Sequence, residues 1–164
     1  MTNIGLISDT HSYLDEQVFA YFKDCDEIWH AGDLGTMEIA NRLGSFKPLR
    51  AVYGNIDNAD VQQAYPEKLR WQCEGMEIFI THIGGYPGKY TPWVKKELME
   101  HPTQLFISGH SHILKVLFDK KINCLHMNPG AAGKHGWHTI RTLIRFSIDG
   151  TAIKNCEVIE LGKR

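Results

Sequence analysis

The chain has 164 residues, of which 43% are hydrophobic and 23% are charged, and its formal net charge is −1. This length favours one domain over residues 1–164, large enough to bury about 70% of the unfolded chain's surface without disulfides. The near-zero charge excludes a global field that attracts nucleic acid, and no apolar run reaches the roughly 20 residues of a membrane span.

The N-terminus and the cysteines predict a cytoplasmic protein. The first residues lack the basic and apolar regions of a secretory signal. The cysteines are widely spaced, without a C-x-x-C pair, so we expect reduced packing residues and neither a disulfide nor a zinc framework. They are Cys25, Cys73, Cys124 and Cys156. Nine histidines are an unusual number for this length.

The first third of the chain alternates strands and helices. Apolar runs predict strands over 4–7, 26–30 and 48–53. Apolar residues at helical spacing predict helices over 14–23 and 37–43, whereas the polar stretch 58–68 is expected to be a loop or a poor helix. This alternation implies a parallel sheet with crossover helices.

The remainder of the chain contains three predicted strand pairs, one helix and one further strand. Hairpins are predicted around Glu74–Gly75 and Asp149–Gly150, and segments 113–118 and 122–126 are expected to pair. The other predicted elements are the helix 91–100, the strand 104–108 and glycine-rich loops at 83–90 and 128–138. The edge of the last hairpin is a candidate surface for a homodimer or a higher homo-oligomer.

Residues 4–11, Ile-Gly-Leu-Ile-Ser-Asp-Thr-His, join a buried strand to a polar end. Residues i and i+2 of an extended backbone point to one side, so we expect Asp9 and His11 to lie together. They would lie at the carboxyl end of the strand, where α/β proteins bind ligands. Taken alone, the segment is equally compatible with Asp9 as a helix cap and His11 as an ordinary loop histidine.

Five predicted strands end in a carboxylate, a carboxamide or an imidazole, usually beside glycine. These residues are Asp9, His11, Asp33, Asn55, His82, His110 and His112. Each could be an ordinary turn or core residue, but their joint placement at strand ends indicates a site. Oxygen and imidazole ligands without thiolate suit manganese, iron(II) or zinc. Seven ligands exceed one tetrahedral site, so two metals about 3.5–4 Å apart with a bridging carboxylate are the simplest arrangement.

The ordered motifs D-x-H, G-D, G-N, a lone histidine after a strand and G-H-x-H resemble the calcineurin-like metallophosphoesterases. The short chain and its G-N-x-D form resemble the small single-domain, YfcE-like phosphodiesterase branch. The resemblance covers residue 4 to about residue 130 and implies an α/β fold, a four-layer α-β-β-α sandwich of two mixed sheets with outer helices.

The resemblance also implies a role for each motif residue. Asp9, His11 and His112 would hold one divalent metal ion, and Asn55, His82 and His110 would hold a second. Asp33 would bridge the two, and Asp33, Asn55 and His110 would also be catalytic. Mn²⁺ is the expected metal, with Fe²⁺, Zn²⁺ and Ni²⁺ as alternatives.

The implied activity is hydrolysis of a small phosphate ester, most simply a diester, by a hydroxide bound at the dinuclear centre. A phosphomonoesterase or nucleotide phosphatase with the same site is one alternative. A non-catalytic scaffold of the same fold, as in the retromer subunit with its degraded metal site, is another. This chain retains all seven ligands. No basic stripe or known module indicates specific nucleic-acid binding, and no membrane partner is expected.

One position departs from the family pattern. Larger relatives place a histidine, thought to be a general acid, directly after the G-N asparagine, where this chain has Ile56. General acid catalysis typically contributes 10²–10⁴-fold. Asp57 and a metal-bound water are the candidate substitutes.

Further residues are predicted to line the substrate. Asn128-Pro129-Gly130 looks like the glycine-rich turn that lines the site in this branch. In the loop that follows, Trp137 could stack on a base or aryl group and Lys134 could contact phosphate. Alternatively, Trp137 packs on the sheet edge and its polar neighbours are solvated. His30 is expected to pack at a strand end or to support the Asp33 turn, and His126 to be structural.

Overall fold

The computed structural model describes residues 1–164 as two five-stranded sheets and four helices. The strands are β1 (Thr2–Ile7), β2 (Glu27–His30), β3 (Leu49–Ala51), β4 (Lys68–Cys73), β5 (Met76–Thr81), β6 (Leu105–Ile107), β7 (Lys115–Asp119), β8 (Cys124–Asn128), β9 (Ile140–Asp149) and β10 (Ala152–Lys163). The helices are α1 (Gln17–Tyr21), α2 (Met37–Phe46), α3 (Ala59–Ala64) and α4 (Pro92–Glu100). None of the four has the length and apolar character needed to cross a membrane.

Both sheets are mixed, as the family resemblance implied. The first has the order β10-β9-β1-β2-β3, in which β1, β2 and β3 are parallel and β9 is antiparallel to its neighbours. The second has the order β4-β5-β6-β8-β7, in which β5, β6 and β8 are parallel and the two edge strands are antiparallel. The sheets pack face to face around the largest apolar core. The four-layer sandwich is therefore confirmed.

The central strand β1 is buried on both faces, which explains its unbroken apolar sequence. Ile4 and Leu6 point into the core between the sheets. Gly5 lies against the ring of Phe22 beside α1, where a Cβ would come within 2.6 Å of that ring. Ile7 packs on the same helical layer. Helix α4 covers the second sheet in the same way, with Val94 and Leu98 buried against its outer face.

One helix is shorter than predicted, and a second is the short helix that the sequence left as an alternative to a loop. Helix α1 is limited to Gln17–Tyr21, although a helix over 14–23 was expected. The segment expected to be a loop or a poor helix contains α3, whose N-cap Asn58 accepts a hydrogen bond from Val61 N through its side chain. This cap and the burial of Val61 stabilise a helix that its polar sequence alone does not favour.

Most predicted strands are present, with shifted ends. The β7–β8 pair begins two residues later than expected, because Ile113 and Leu114 belong to the loop after the G-H-x-H motif. The last hairpin is longer than predicted and turns at Asp149–Gly150 as expected. All four cysteines are free thiols, but Cys156 is exposed, which corrects the expectation that every cysteine packs inside.

Candidate metal centre

The seven strand-end residues converge where the carboxyl ends of β1, β2, β3, β5 and β6 meet. Their potential ligand atoms form two groups, each within 4.8 Å. The first consists of Asp9, His11 and His112, and the second of Asp33, His82 and His110. These are the two sets that the resemblance implied, apart from Asn55. Its Oδ1 lies 3.0 Å from His110 Nδ1, at the edge of the second group.

The backbone at these residues is strained. Asp9, His11, Asp33, His110 and His112 all have positive φ, between 45° and 69°. Such angles are uncommon for residues other than glycine and concentrate at functional sites. The extended geometry that we assumed for Asp9 and His11 is therefore wrong. Strand β1 ends at Ile7, and left-handed turns bring the two side chains together.

Each carboxylate anchors a loop with one oxygen and presents the other to the imidazoles. Asp9 Oδ2 accepts hydrogen bonds from Ser8 Oγ at 2.6 Å and from His110 N at 3.1 Å. Its Oδ1 lies 3.1 Å from His112 Nε2 and 3.7 Å from His11 Nε2. One oxygen is thus fixed while the other remains available to a ligand.

Asp33 lies between the two groups. Its Oδ1 accepts a hydrogen bond from Ile56 N at 3.1 Å. Its Oδ2 is 3.3 Å from His11 Nε2 in the first group and 3.1 Å from His82 Nε2 in the second. The backbone of the G-N turn comes very close, since a Cβ on Gly54 would lie 2.0 Å from Asp33 Oδ1. Only glycine permits this approach.

The orientation of His82 is set by the main chain. Its Nδ1 lies 2.7 Å from the carbonyl oxygen of Ala31, so Nδ1–H donates and Nε2 is left free to face Asp33. A backbone partner on one ring nitrogen with the other turned inward is the usual arrangement of a metal-ligating histidine.

The carboxylates and histidines perturb one another strongly. Burial opposes ionisation of Asp9 and Asp33, but the neighbouring imidazoles outweigh it and hold the pKa of both carboxyls well below the usual range. The Asp33 and Asp9 carboxylates beside its ring raise the pKa of His11 to about 9. Burial opposes protonation of His82, but the Asp33 carboxylate prevails and raises its pKa. The two buried carboxylates and the imidazoles around them thus form one electrostatically coupled group.

The donor set fits divalent metal ions. Asp9 Oδ1, His11 Nε2 and His82 Nε2 are buried and have no hydrogen-bond partner. Unpaired buried polar atoms are costly, and three of them facing one small volume call for a shared ligand. Carboxylate oxygens and imidazole nitrogens without thiolate suit Mn²⁺, Fe²⁺ or Zn²⁺.

His30 is a buried residue whose hydrogen bonds link two loops of the candidate metal centre. It is fully buried, and burial lowers its pKa to about 3. Its Nδ1 accepts from Gly32 N at 3.1 Å, so the proton lies on Nε2, 3.1 Å from Thr10 Oγ1. Thr10 Oγ1 in turn donates to the carbonyl oxygen of Leu34. This chain of bonds connects the loop that carries Asp9 to the loop that carries Asp33.

Asp57 does not line the site. It is 4% exposed, and its carboxylate accepts hydrogen bonds from three backbone amides, those of Leu34, Gly35 and Gly54, at 2.8–3.2 Å. Both of its oxygens are therefore occupied by hydrogen bonds from the main chain. These contacts favour a structural role for Asp57 over the predicted contact with substrate or transfer of a proton to the leaving group.

The Asn128-Pro129-Gly130 turn lies beside the G-H-x-H loop. Asn128 is buried and donates to the carbonyl oxygen of Gly109 and to Ser111 Oγ at 3.0 and 3.1 Å, while its Oδ1 accepts from Gly130 N. Gly130 has φ 74°, and a Cβ there would lie 2.3 Å from Thr142 Oγ1. Both residues thus shape the loop that carries His110 and His112.

The following loop covers the first ligand group. His135 stacks on His11 with ring centroids 4.8 Å apart, and a Cβ on Gly136 would come within 2.1 Å of His112 Nδ1. Lys134 Nζ lies 4.4 Å from the centroid of the Tyr13 ring. Trp137 is 99% exposed, so the alternative in which it packs on the sheet edge is wrong.

A cavity of about 180 Å³ lies beside His110. Tyr86, Ser111, Lys115 and Asn128 are among the residues that line it. Of these, only Asn128 was predicted from sequence. Tyr86 follows a glycine pair and Lys115 lies in a strand, and neither context distinguishes a site residue from an ordinary one.

Comparison with known proteins agrees with this geometry. Residues 2–151 match the calcineurin-like phosphoesterase superfamily domain. A probable metallophosphoesterase from Methanothermobacter thermautotrophicus is 32% identical over 135 residues, which cover 78% of this chain and 76% of that protein.

Solved structures share the fold. Vps29 from Chaetomium thermophilum matches with a TM-score of 0.78 and 16% identity, over 98% of this chain and 97% of that one. A conserved uncharacterized protein from Streptococcus pneumoniae TIGR4, described as a predicted phosphoesterase, matches with a TM-score of 0.67 and 18% identity, over 97% of each chain. The domain match and the archaeal relative show that the chain belongs to the calcineurin-like phosphoesterase superfamily.

Proposed function

We propose that this protein is a metal-dependent phosphoesterase that cleaves phosphate diesters. The observation that carries the proposal is the pair of adjacent ligand groups. Buried ligand atoms from both groups have no hydrogen-bond partner and face one small volume. Asp9, His11 and His112 would hold one ion, Asn55, His82 and His110 the other, and Asp33 both. Mn²⁺ is the metal we would test first.

Bound divalent ions would supply a more acidic water and neutralise charge on the phosphate oxygens. The chain's own residues orient the reactants. Asn55 Oδ1 lies 3.0 Å from His110 Nδ1 at the open side of the site, where both side chains can contact a phosphate oxygen. Burial lowers the pKa of His110, so its ring is neutral near pH 7 and can serve as a ligand or accept a hydrogen bond.

The charge around the site favours a diester over a monoester. Bidentate arginine contacts are a frequent way of binding phosphate groups, and the second charge of a monoester dianion increases the benefit of such contacts. Here the side chains of Arg42, Arg50, Arg70, Arg141 and Arg145 are paired with carboxylates, and none of the arginines lines the cavity beside His110. A diester carries one negative charge fewer, and that cavity offers space for its second ester group.

The proton for the leaving group has no obvious source. Ile56 is 44% exposed and cannot donate, and Asp57 is buried among backbone amides. The structure offers Lys115 and Tyr86, which line the cavity beside His110, as candidate proton donors. We therefore expect fast turnover only with acidic leaving groups such as aryl alcohols.

The experiment is hydrolysis of an aryl phosphodiester and the matching monoester by chelated protein, before and after addition of Mn²⁺. His110→Ala should abolish the restored activity. His101→Ala is the matched control, because His101 is an exposed residue at the end of α4. Diester turnover that depends on metal and on His110 would support the proposal. Faster monoester turnover would replace the diesterase with a phosphomonoesterase.

A scaffold role is the second candidate, because Vps29 structures have the same fold. Metal titration separates the two functions. No turnover with either ester, in protein shown to bind two ions per chain, would favour the scaffold.

A further inference from the structure

The free edge strand β7 carries three consecutive exposed apolar side chains. Edge strands offer unpaired backbone groups to other chains, and natural proteins protect them with charge, bulges or short length. The other three edges show this protection. Strand β3 has three residues, β4 carries Lys68 and Arg70, and β10 has two register shifts and four charged side chains.

Strand β7 lacks such protection at its centre. Val116, Leu117 and Phe118 are 44%, 43% and 49% exposed, and they project from both faces of the strand. Ile113 and Trp137, exposed nearby, extend the apolar surface toward the candidate metal centre. A continuous exposed apolar strand on a folded protein indicates an interaction surface.

We propose that β7 pairs antiparallel with β7 of a second copy of this chain, with the two-fold axis at Leu117. The strand reads Lys-Val-Leu-Phe-Asp, with opposite charges at its ends and apolar residues between them. In this register Leu117 lies opposite itself and Val116 opposite the other copy's Phe118. Lys115 lies opposite the other copy's Asp119, twice by symmetry. Apolar pairs and opposite charges directly across a ladder stabilise it.

The same register is self-consistent as an assembly. A two-fold interface uses the same patch on both copies, and it closes at the dimer. It joins the two second sheets into one ten-stranded sheet and removes both unprotected edges. Lys115 and Asp119 already have contacts within the chain, with the Tyr86 ring and the Tyr90 hydroxyl, which hold them at the two ends of the strand. The β10 edge, which the sequence suggested for dimerisation, is bulged and charged and is the poorer candidate.

Sedimentation of the full chain from about 1 to about 100 µM tests the dimer, since a small interface dissociates in this range. Val116→Lys should raise the dimer dissociation constant at least tenfold, because it places a cation in the ladder. Val158→Lys is the matched control, since Val158 is also 44% exposed and lies on the β10 edge. Thermal unfolding of each variant verifies that it is folded.

Cysteine crosslinking tests the register in a Cys156→Ser background, which removes the exposed native thiol. Leu117→Cys should form a disulfide-linked dimer, because residues directly opposite have Cα atoms about 4.5–5.5 Å apart, within disulfide range. Val116→Cys should not, because in this register it faces Phe118 and not its own copy. A monomer at every concentration, or a dimer unaffected by Val116→Lys, would overturn the proposal. Crosslinking at position 116 in preference to 117 would overturn the register.

Discussion

Replacement of Asp57 by alanine tests whether this residue holds the site together or donates a proton. Its carboxylate accepts hydrogen bonds from three backbone amides, two in the loop after Asp33 and one in the turn before Asn55. Asp57→Ala leaves these three donors without their partner, and residue 57 is only 4% exposed. Each unsatisfied buried group costs about 1–3 kcal/mol. Some water entry is expected, so we predict a loss of about 3–5 kcal/mol of unfolding free energy.

The assay is urea denaturation of chelated protein, so that metal binding does not contribute. Asp57→Asn retains one acceptor oxygen and should lose about half as much stability. Asp60→Ala, at an exposed position in the first turn of α3, is the matched control and should change stability by about 0.5 kcal/mol or less. Because Asp57 positions loops that carry Asp33 and Asn55, metal affinity of the alanine variant should also fall about 10–100-fold.

The opposite result would refute this reasoning. An Asp57→Ala protein within about 1 kcal/mol of wild type would show that the three hydrogen bonds contribute little. If the same variant also lost activity selectively on alkyl leaving groups, Asp57 would be a proton donor after all.

Three further predictions follow from the same geometry. The His11 pKa of about 9 means that a metal ion must displace a proton from this ring at neutral pH. Apparent metal affinity should therefore rise up to about tenfold per pH unit from about pH 7 to about pH 9. Calorimetry in buffers of different ionisation enthalpy measures the protons released on binding. Gly136→Ala should weaken metal binding, because φ is 132° and the new Cβ would meet His112 Nδ1; the exposed Gly88, with no atom within 4 Å of its Cβ position, is the control. Ile56→His should raise turnover of alkyl phosphate diesters more than that of aryl ones in steady-state assays, and equal gains would remove the leaving-group argument.

The sequence predicted an α/β fold, its layers through the family resemblance, and the strand-end residues that the structure brings together. Strand β1 is a run of apolar residues because both of its faces are buried, and such a run can be detected without coordinates. The strand-end residues are similarly visible, because carboxyl ends of parallel strands collect at one edge. Both the apolar run and the strand-end residues can be recognised from local residue patterns and from their order along the chain.

Tertiary structure decided how those residues are used. Asp57 and Asn55 belong to the same short motif, yet Asp57 accepts hydrogen bonds from backbone amides, whereas Asn55 contacts His110 at the site. Helix α3 forms because a cap and a buried valine outweigh a polar sequence. The left-handed turns at Asp9 and His11, and the exposed edge of β7, depend on which segments meet in space. Such contacts join residues far apart in the chain, so no local pattern encodes them, and only the packed structure shows which polar groups are satisfied and which remain free to bind.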